Sequence, residues 1–287
     1  MIDRKGIAAF LIITFTLTYA IEGALIWSGF RITDQPALYG QLAIVGVMWA
    51  PAFATVLTIK FITREGFAGT NLRFGSWRPY LKTALVIPAV FVLIYALTWL
   101  LGLGNPDWQL TDLSEMAATA GADISQMPQP LAIILGTLAI TLVVTPFINS
   151  LVAFGEELGW RGYLLPKLMP LGKTKAYLLM GVIWGLWHAP LVLIGFNYPG
   201  YPILGVLWMI GLMIAMGVYL NELTLRNRST FLAAWMHGVF NSQGYGIWRL
   251  LFPAVNPLWG GMTGLIAIAA WLGIGLWEVR RGQGGRT

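Results

Sequence analysis

Residues 131–161 read LAIILGTLAITLVVTPFINSLVAFGEELGWR: an uncharged run, 131–153, passes into Phe154-Gly-Glu-Glu-Leu-Gly-Trp-Arg161. A bilayer core about 30 Å thick takes about 20 apolar residues at about 1.5 Å each, so the uncharged part is long enough to cross it. The rest of the chain has the same character. Of 287 residues, 57% are hydrophobic and 10% charged, with mean hydropathy +0.71, against roughly 25% charged residues in soluble proteins. This excludes an ordinary water-soluble domain and predicts one integral membrane domain over 1–287. The chain has no cysteine, which removes disulfides, thiolate metal sites and cysteine nucleophiles from consideration.

Apolar runs bounded by charges, Pro or Gly clusters predict an all-α, polytopic bundle of about eight spans, near 6–30, 38–60, 81–103, 131–153, 175–195, 202–221, 230–250 and 257–279. Arg4 and Lys5 before the first run look like the start of a secretory signal. The run continues to Phe30 without a small-residue cleavage site, so it reads as a retained span. With both termini cytoplasmic, sixteen of the eighteen Lys and Arg residues fall on one side, leaving Arg31 and Arg249 outside. The positive-inside rule favours that topology, so the net charge of +6 is explained by the membrane rather than by nucleic acid. The 104–130 loop, with Asp107, Asp112, Glu115 and Asp123 and no basic residue, is then a solvated outer loop. Trp27, Trp77 and Tyr80 at segment ends suit interfacial anchors, and Arg280 to Thr287 reads as a short disordered tail.

Charges inside a bilayer cost about 2.5–3.5 kcal/mol each on insertion scales. Glu157 and Arg161 are four residues apart with the acid first, the favoured order for a pair on one helix face. Glu156 is turned about 100° away, so it is the carboxylate that faces another helix. The plainer alternative is that both acids mark the cytoplasmic end of the span. The chain has only two histidines, and both fall within predicted spans, in Trp184-Gly-Leu-Trp-His188 and Trp235-Met-His237-Gly-Val-Phe-Asn241. Either alone could be a helix-to-helix hydrogen-bonding group. His237 and Asn241 share a helix face, and Gly181, Gly185 and Ala189 form a small-residue packing stripe. Together, a carboxylate, two imidazoles and an amide on three helices contain the parts for amide hydrolysis. Glu156 can take a proton from water, and His or Asn donors can stabilise a tetrahedral oxyanion.

Glu156-Glu157-x-x-x-Arg161, then an aromatic-x-x-x-His188, then His237-x-x-x-Asn241 resembles, in this order, the CPBP intramembrane proteases, which include the CAAX prenyl endopeptidases. The resemblance covers about 150–245. It implies an intramembrane endopeptidase in which Glu156 activates water with His188, His237 and Asn241 assist or hold the oxyanion, and Glu157 and Arg161 support them. The substrate it implies is a peptide or membrane-protein terminus, prenylated or not, reached from the cytoplasm or laterally. The protein would be multi-pass in the cell membrane of a prokaryote or the endoplasmic reticulum membrane of a eukaryote. Family members are described both as metalloproteases and as metal-free glutamate proteases. A zinc site would use Glu156, His188 and His237, but with no His-Glu-x-x-His helix the expectation is glutamate-activated water without a permanent metal. The second family motif usually begins with Phe where Trp184 stands, a change expected to alter pocket shape more than chemistry.

Two other readings stay open at this level: a non-catalytic membrane scaffold or immunity-type peptide-binding protein, and a small proton-coupled transporter using Glu156 and the histidines as a relay. No internal repeat supports the transporter. Glu22, in the outer half of the first span, is expected to make a helix-to-helix hydrogen bond or to snorkel. Glu222, Arg226 and Arg228 read as an interfacial cluster, and the basic residues from Lys60 to Lys82 as a lipid-facing surface.

Overall fold

The computed structural model describes residues 2–30 and 38–284; Arg31 and Arg286 of the charge count lie outside them. The described residues form a bundle of α-helices with no strand. In order these are α1 (Arg4–Trp27), α2 (Leu38–Leu57), α3 (Arg78–Leu100), α4 (Thr111–Thr119), α5 (Pro130–Val143), α6 (Thr145–Glu157), α7 (Leu165–Leu168), α8 (Lys173–Trp187), α9 (Ala189–Leu193), α10 (Pro202–Asn227), α11 (Thr230–Tyr245), α12 (Ile247–Leu251) and α13 (Leu265–Gly284). π-helical stretches continue α2 over Thr58–Thr63 and join α6 to α7 over Leu158–Leu164.

Among the described residues, four helices are long and apolar enough to cross a membrane: Arg4–Trp27, Leu42–Thr63, Arg78–Leu100 and Pro202–Asn227. A fifth span arises if the pair on either side of residue 144, bent by 46°, is taken together. The predicted run 131–153 is therefore a broken helix. Pro146 cannot donate to residue 142 and its ring crowds that carbonyl, which accounts for a break at this point. The run predicted at 175–195 also ends early, at Trp187, because Pro190 lacks the N–H that would bond to Leu186. The freed Leu186 carbonyl accepts the Tyr19 hydroxyl at 2.7 Å instead. That early end explains why His188, deep in the predicted span, lies at a helix terminus. The run at 230–250 likewise stops at Tyr245.

Gly181 and Gly185 bring α8 onto α10: a Cβ on either would stand 2.5 Å from the Cα of Ile214 or Ile210. Gly155 does the same for α6 against α2, where a Cβ would meet the Trp49 Cα at 2.7 Å. These close approaches set the distances between the helices that carry the site.

Segments assigned to one side by charge meet in two clusters. Lys167 bonds Asp3 at 2.6 Å and Glu65 at 2.8 Å, and the Lys167 hydrogen bond, with the Gly6 N–H, holds the Asp3 carboxyl below its ordinary value. Lys82 pairs with Glu278, Arg226 bridges Glu278 at 2.8 Å and Glu222 at 3.3 Å, and Lys173 bonds Glu222 at 2.7 Å. Lys82 is thus tied into the bundle, and Arg73 donates to the Arg228 carbonyl at 2.8 Å; both depart from the expected lipid-facing role. Glu222 and Arg226 cluster as expected, whereas Arg228 enters through its backbone. The 104–130 segment is not all loop, since it contains α4, whose first turn is capped by Asp107 through Thr111 and the Asp112 N–H. The expected disordered tail is helical to Gly284.

Candidate active site

The last turn of α6 delivers Glu156 and Glu157, and the π-helical stretch that follows delivers Trp160 and Arg161, all four buried. π-helical turns inside α-helices occur frequently at functional sites. Arg161 Nη1 bonds both oxygens of Glu157, at 2.8 and 3.0 Å, so the pair read from the four-residue spacing is formed. Its Nε donates to Asn221 Oδ1 of α10 at 3.0 Å, and its guanidinium lies 4.0 Å from the Trp184 ring centroid, a cation–π contact. Glu156 turns the other way, towards α8. Its Oε2 accepts the Trp184 indole N–H at 2.8 Å and the Trp160 indole N–H at 3.3 Å. No hydrogen bond joins its Oε1 to a described residue.

His237, on α11, bonds Glu157 Oε1 through Nδ1 at 2.8 Å. His188 caps the C-terminus of α8, and its Nδ1 meets the Trp184 carbonyl at 2.8 Å. A carbonyl only accepts, so His188 Nδ1 carries the proton and, in the neutral ring, Nε2 carries the lone pair. Both imidazoles pack on the same indole, with centroids 5.5 Å (His237) and 6.0 Å (His188) from that of Trp184. Glu156, Glu157, Arg161, His188 and His237 are therefore gathered around Trp184. Asn241, one turn beyond His237, is half-buried and hydrogen-bonds to no described side chain. The indole N–H that Trp184 adds where the family motif usually has Phe is the donor that holds the Glu156 carboxylate.

Sequence reasoning missed Trp160 and Asn221. An Asn within an apolar 26-residue helix was the signal for Asn221; for Trp160, the four-residue spacing from Glu156 was the signal. Glu22 departs from expectation as well, being fully buried with neither oxygen hydrogen-bonded among the described residues. Also among the described residues, no three His, Asp or Glu side chains converge as a group that could hold a metal ion.

Apolar membrane-length helices around a buried group of carboxylates, imidazoles and a guanidinium define an integral membrane protein with a polar centre inside its bundle. Residues 137–243 match the family model of type II CAAX prenyl endopeptidases, Rce1-like. CAAX prenyl protease 2 of Methanococcus maripaludis is 29% identical over 236 residues, which cover 79% of this chain and 80% of the relative. Residues 137–243 are thus similar to the CAAX prenyl endopeptidases, and they contain every residue of the three motifs. That similarity supports an endopeptidase activity.

Proposed function

We propose that Glu156 is the base of this endopeptidase, and that the substrate is a peptide or membrane protein cleaved near a prenylated C-terminus. The observation that carries the first part is the division of labour between the paired acids. Glu157 is committed to Arg161 and His237, whereas Glu156 is fixed by one oxygen and keeps the other for water. Two indole N–H groups on Oε2 orient the carboxylate, and the His188 Nε2 lone pair can accept the second hydrogen of the same water. With a protonated ring charge-paired to Glu157, His237 offers Nε2–H to the tetrahedral oxyanion, and Asn241 supplies an amide donor on the same helix face. The prenylated substrate rests on the name of the archaeal relative.

The test is cleavage of quenched fluorescent peptides, prenylated and plain, by purified protein in liposomes. Glu156→Gln should lower cleavage by about 10²–10⁴-fold, the range for loss of a general base, and wild-type cleavage should survive a chelator. Loss on chelation with recovery by zinc would assign a metalloprotease, and equal cleavage by both proteins would remove Glu156 from the mechanism.

Trp184→Phe gives a second, smaller effect. It keeps an aromatic wall but removes the 2.8 Å bond to Glu156, leaving Trp160 at 3.3 Å. A hydrogen bond to a charged group contributes about 1.5–3 kcal/mol, so kcat should fall about tenfold or more. Steady-state kinetics on the same peptides would measure it, and an unchanged kcat would show that the indole N–H does not orient the base.

A further inference from the structure

The reading of Glu156 as base leaves one buried carboxyl unused. Glu22 lies on α1, is fully buried, and has no hydrogen-bond partner on either oxygen among the described residues. A buried carboxylate in this position is expensive, by several kcal/mol, without a cation beside it, and among the described residues no basic residue pairs with it. The same face of α1 is fastened to the site. Thr18, one turn earlier, accepts the Trp187 indole N–H at 2.7 Å, and Tyr19 holds the Leu186 carbonyl. Trp187 in turn packs edge-on against His188, with ring centroids 4.8 Å apart, and against Trp160 at 5.8 Å. The charge of Glu156 is within electrostatic reach of Glu22, and the phenol of Tyr19 is the other titratable group that interacts with it.

Peptide hydrolysis requires more than a base and an oxyanion donor, because an amide nitrogen departs only after it gains a proton. We infer that Glu22 is a second acid of the reaction chamber and that its carboxylic proton goes to the departing amine. Water adds through oxygen to the carbonyl carbon while one of its protons passes to Glu156. The carbon–nitrogen bond then breaks as the nitrogen takes the Glu22 proton, leaving Glu22 as carboxylate. Transfer of the proton on Glu156 to Glu22 restores both groups, so the sum is one water consumed per bond cleaved. This inference rests on the proposed role of Glu156.

The experiment uses the full-length protein in liposomes and two substrates with the same acyl peptide, one with a peptide bond and one an aryl ester. The phenolate of the ester leaves without a proton. Glu22→Gln should slow peptide cleavage by about 10²-fold or more and ester cleavage by no more than about threefold, as befits loss of a general acid. Equal slowing of both substrates, or an unchanged peptide rate, would overturn the inference. If Glu22→Gln does not fold, Glu22→Asp replaces it: the displaced acid should slow the peptide at least about tenfold more than the ester, and equal slowing would overturn the assignment. Glu156→Gln separates the two claims. Wild-type cleavage of both substrates by that variant defeats the base assignment and this inference with it. If Glu156→Gln is inactive while Glu22→Gln behaves as wild type, the inference on Glu22 alone fails.

Discussion

Arg161→Met should cost about 3–5 kcal/mol of stability, the penalty for removing one partner of a buried ion pair. Arg161 and Glu157 are both fully buried, and Arg161 also satisfies Asn221 and stacks on Trp184. Its removal strands the Glu157 carboxylate with His237 alone and frees the Asn221 carbonyl oxygen inside the bundle. The loss should appear as a large drop in the melting temperature of purified protein in detergent. The double variant Arg161→Met, Glu157→Gln removes the stranded charge and should regain a substantial part of the loss, though not activity, because His237 loses its carboxylate partner. A single variant that melts like wild type would show that the pair carries no net stabilisation.

The second large effect is expected from Gly185→Ala. The added methyl would stand 2.5 Å from the Ile210 Cα, a backbone atom that no rotamer change can move. Overpacking of this kind costs about 1–3 kcal/mol, and α8 must withdraw from α10. Trp184 and His188 flank this glycine, so both shift against Glu156. A misplacement of about 1 Å can cost about 10²-fold in rate, and hydrolysis of the quenched peptides should fall by that order. Gly136→Ala is the control: α5 offers open space there, with nothing within 4 Å of an added Cβ, so neither melting nor kcat should drop. A wild-type rate in Gly185→Ala would mean that α8 does not set the geometry of the base.

The bundle class was legible because long uncharged runs admit few other structures in lipid, where every backbone polar group must be satisfied within the segment. The pairing of Glu157 with Arg161 and the opposite facing of Glu156 followed from helix geometry alone, over only six residues. The partners of Glu156 on α8 did not. Trp184 is 28 residues away from it, and only the tertiary approach of α8 to the end of α6 brings that indole to the carboxylate. Helix breaks were obscured for a related reason. Hydropathy averages over Pro146 and Pro190, whereas the chain bends or stops at them. Glu22 defied the expectation of a hydrogen bond because its surroundings are set by tertiary packing, about which its own helix says nothing.

The π-helical passage from Leu158 to Leu164 carries a consequence for how this centre tolerates change in length. A turn wound from i to i+5 holds about one residue more than an α-turn. The bearing of Trp160 and Arg161 on the paired acids is therefore stored as a count of residues. Deleting Leu158 or Gly159 would let the passage relax to an ordinary helix, whose turn holds one residue fewer, so the flanking helices keep nearly their relative bearing while Trp160 and Arg161 swing by about 100° against Glu156 and Glu157. Trp160 would then face away from the carboxylate, with every residue that touches Glu156 still present. The length of this passage is as much a part of the site as the side chains.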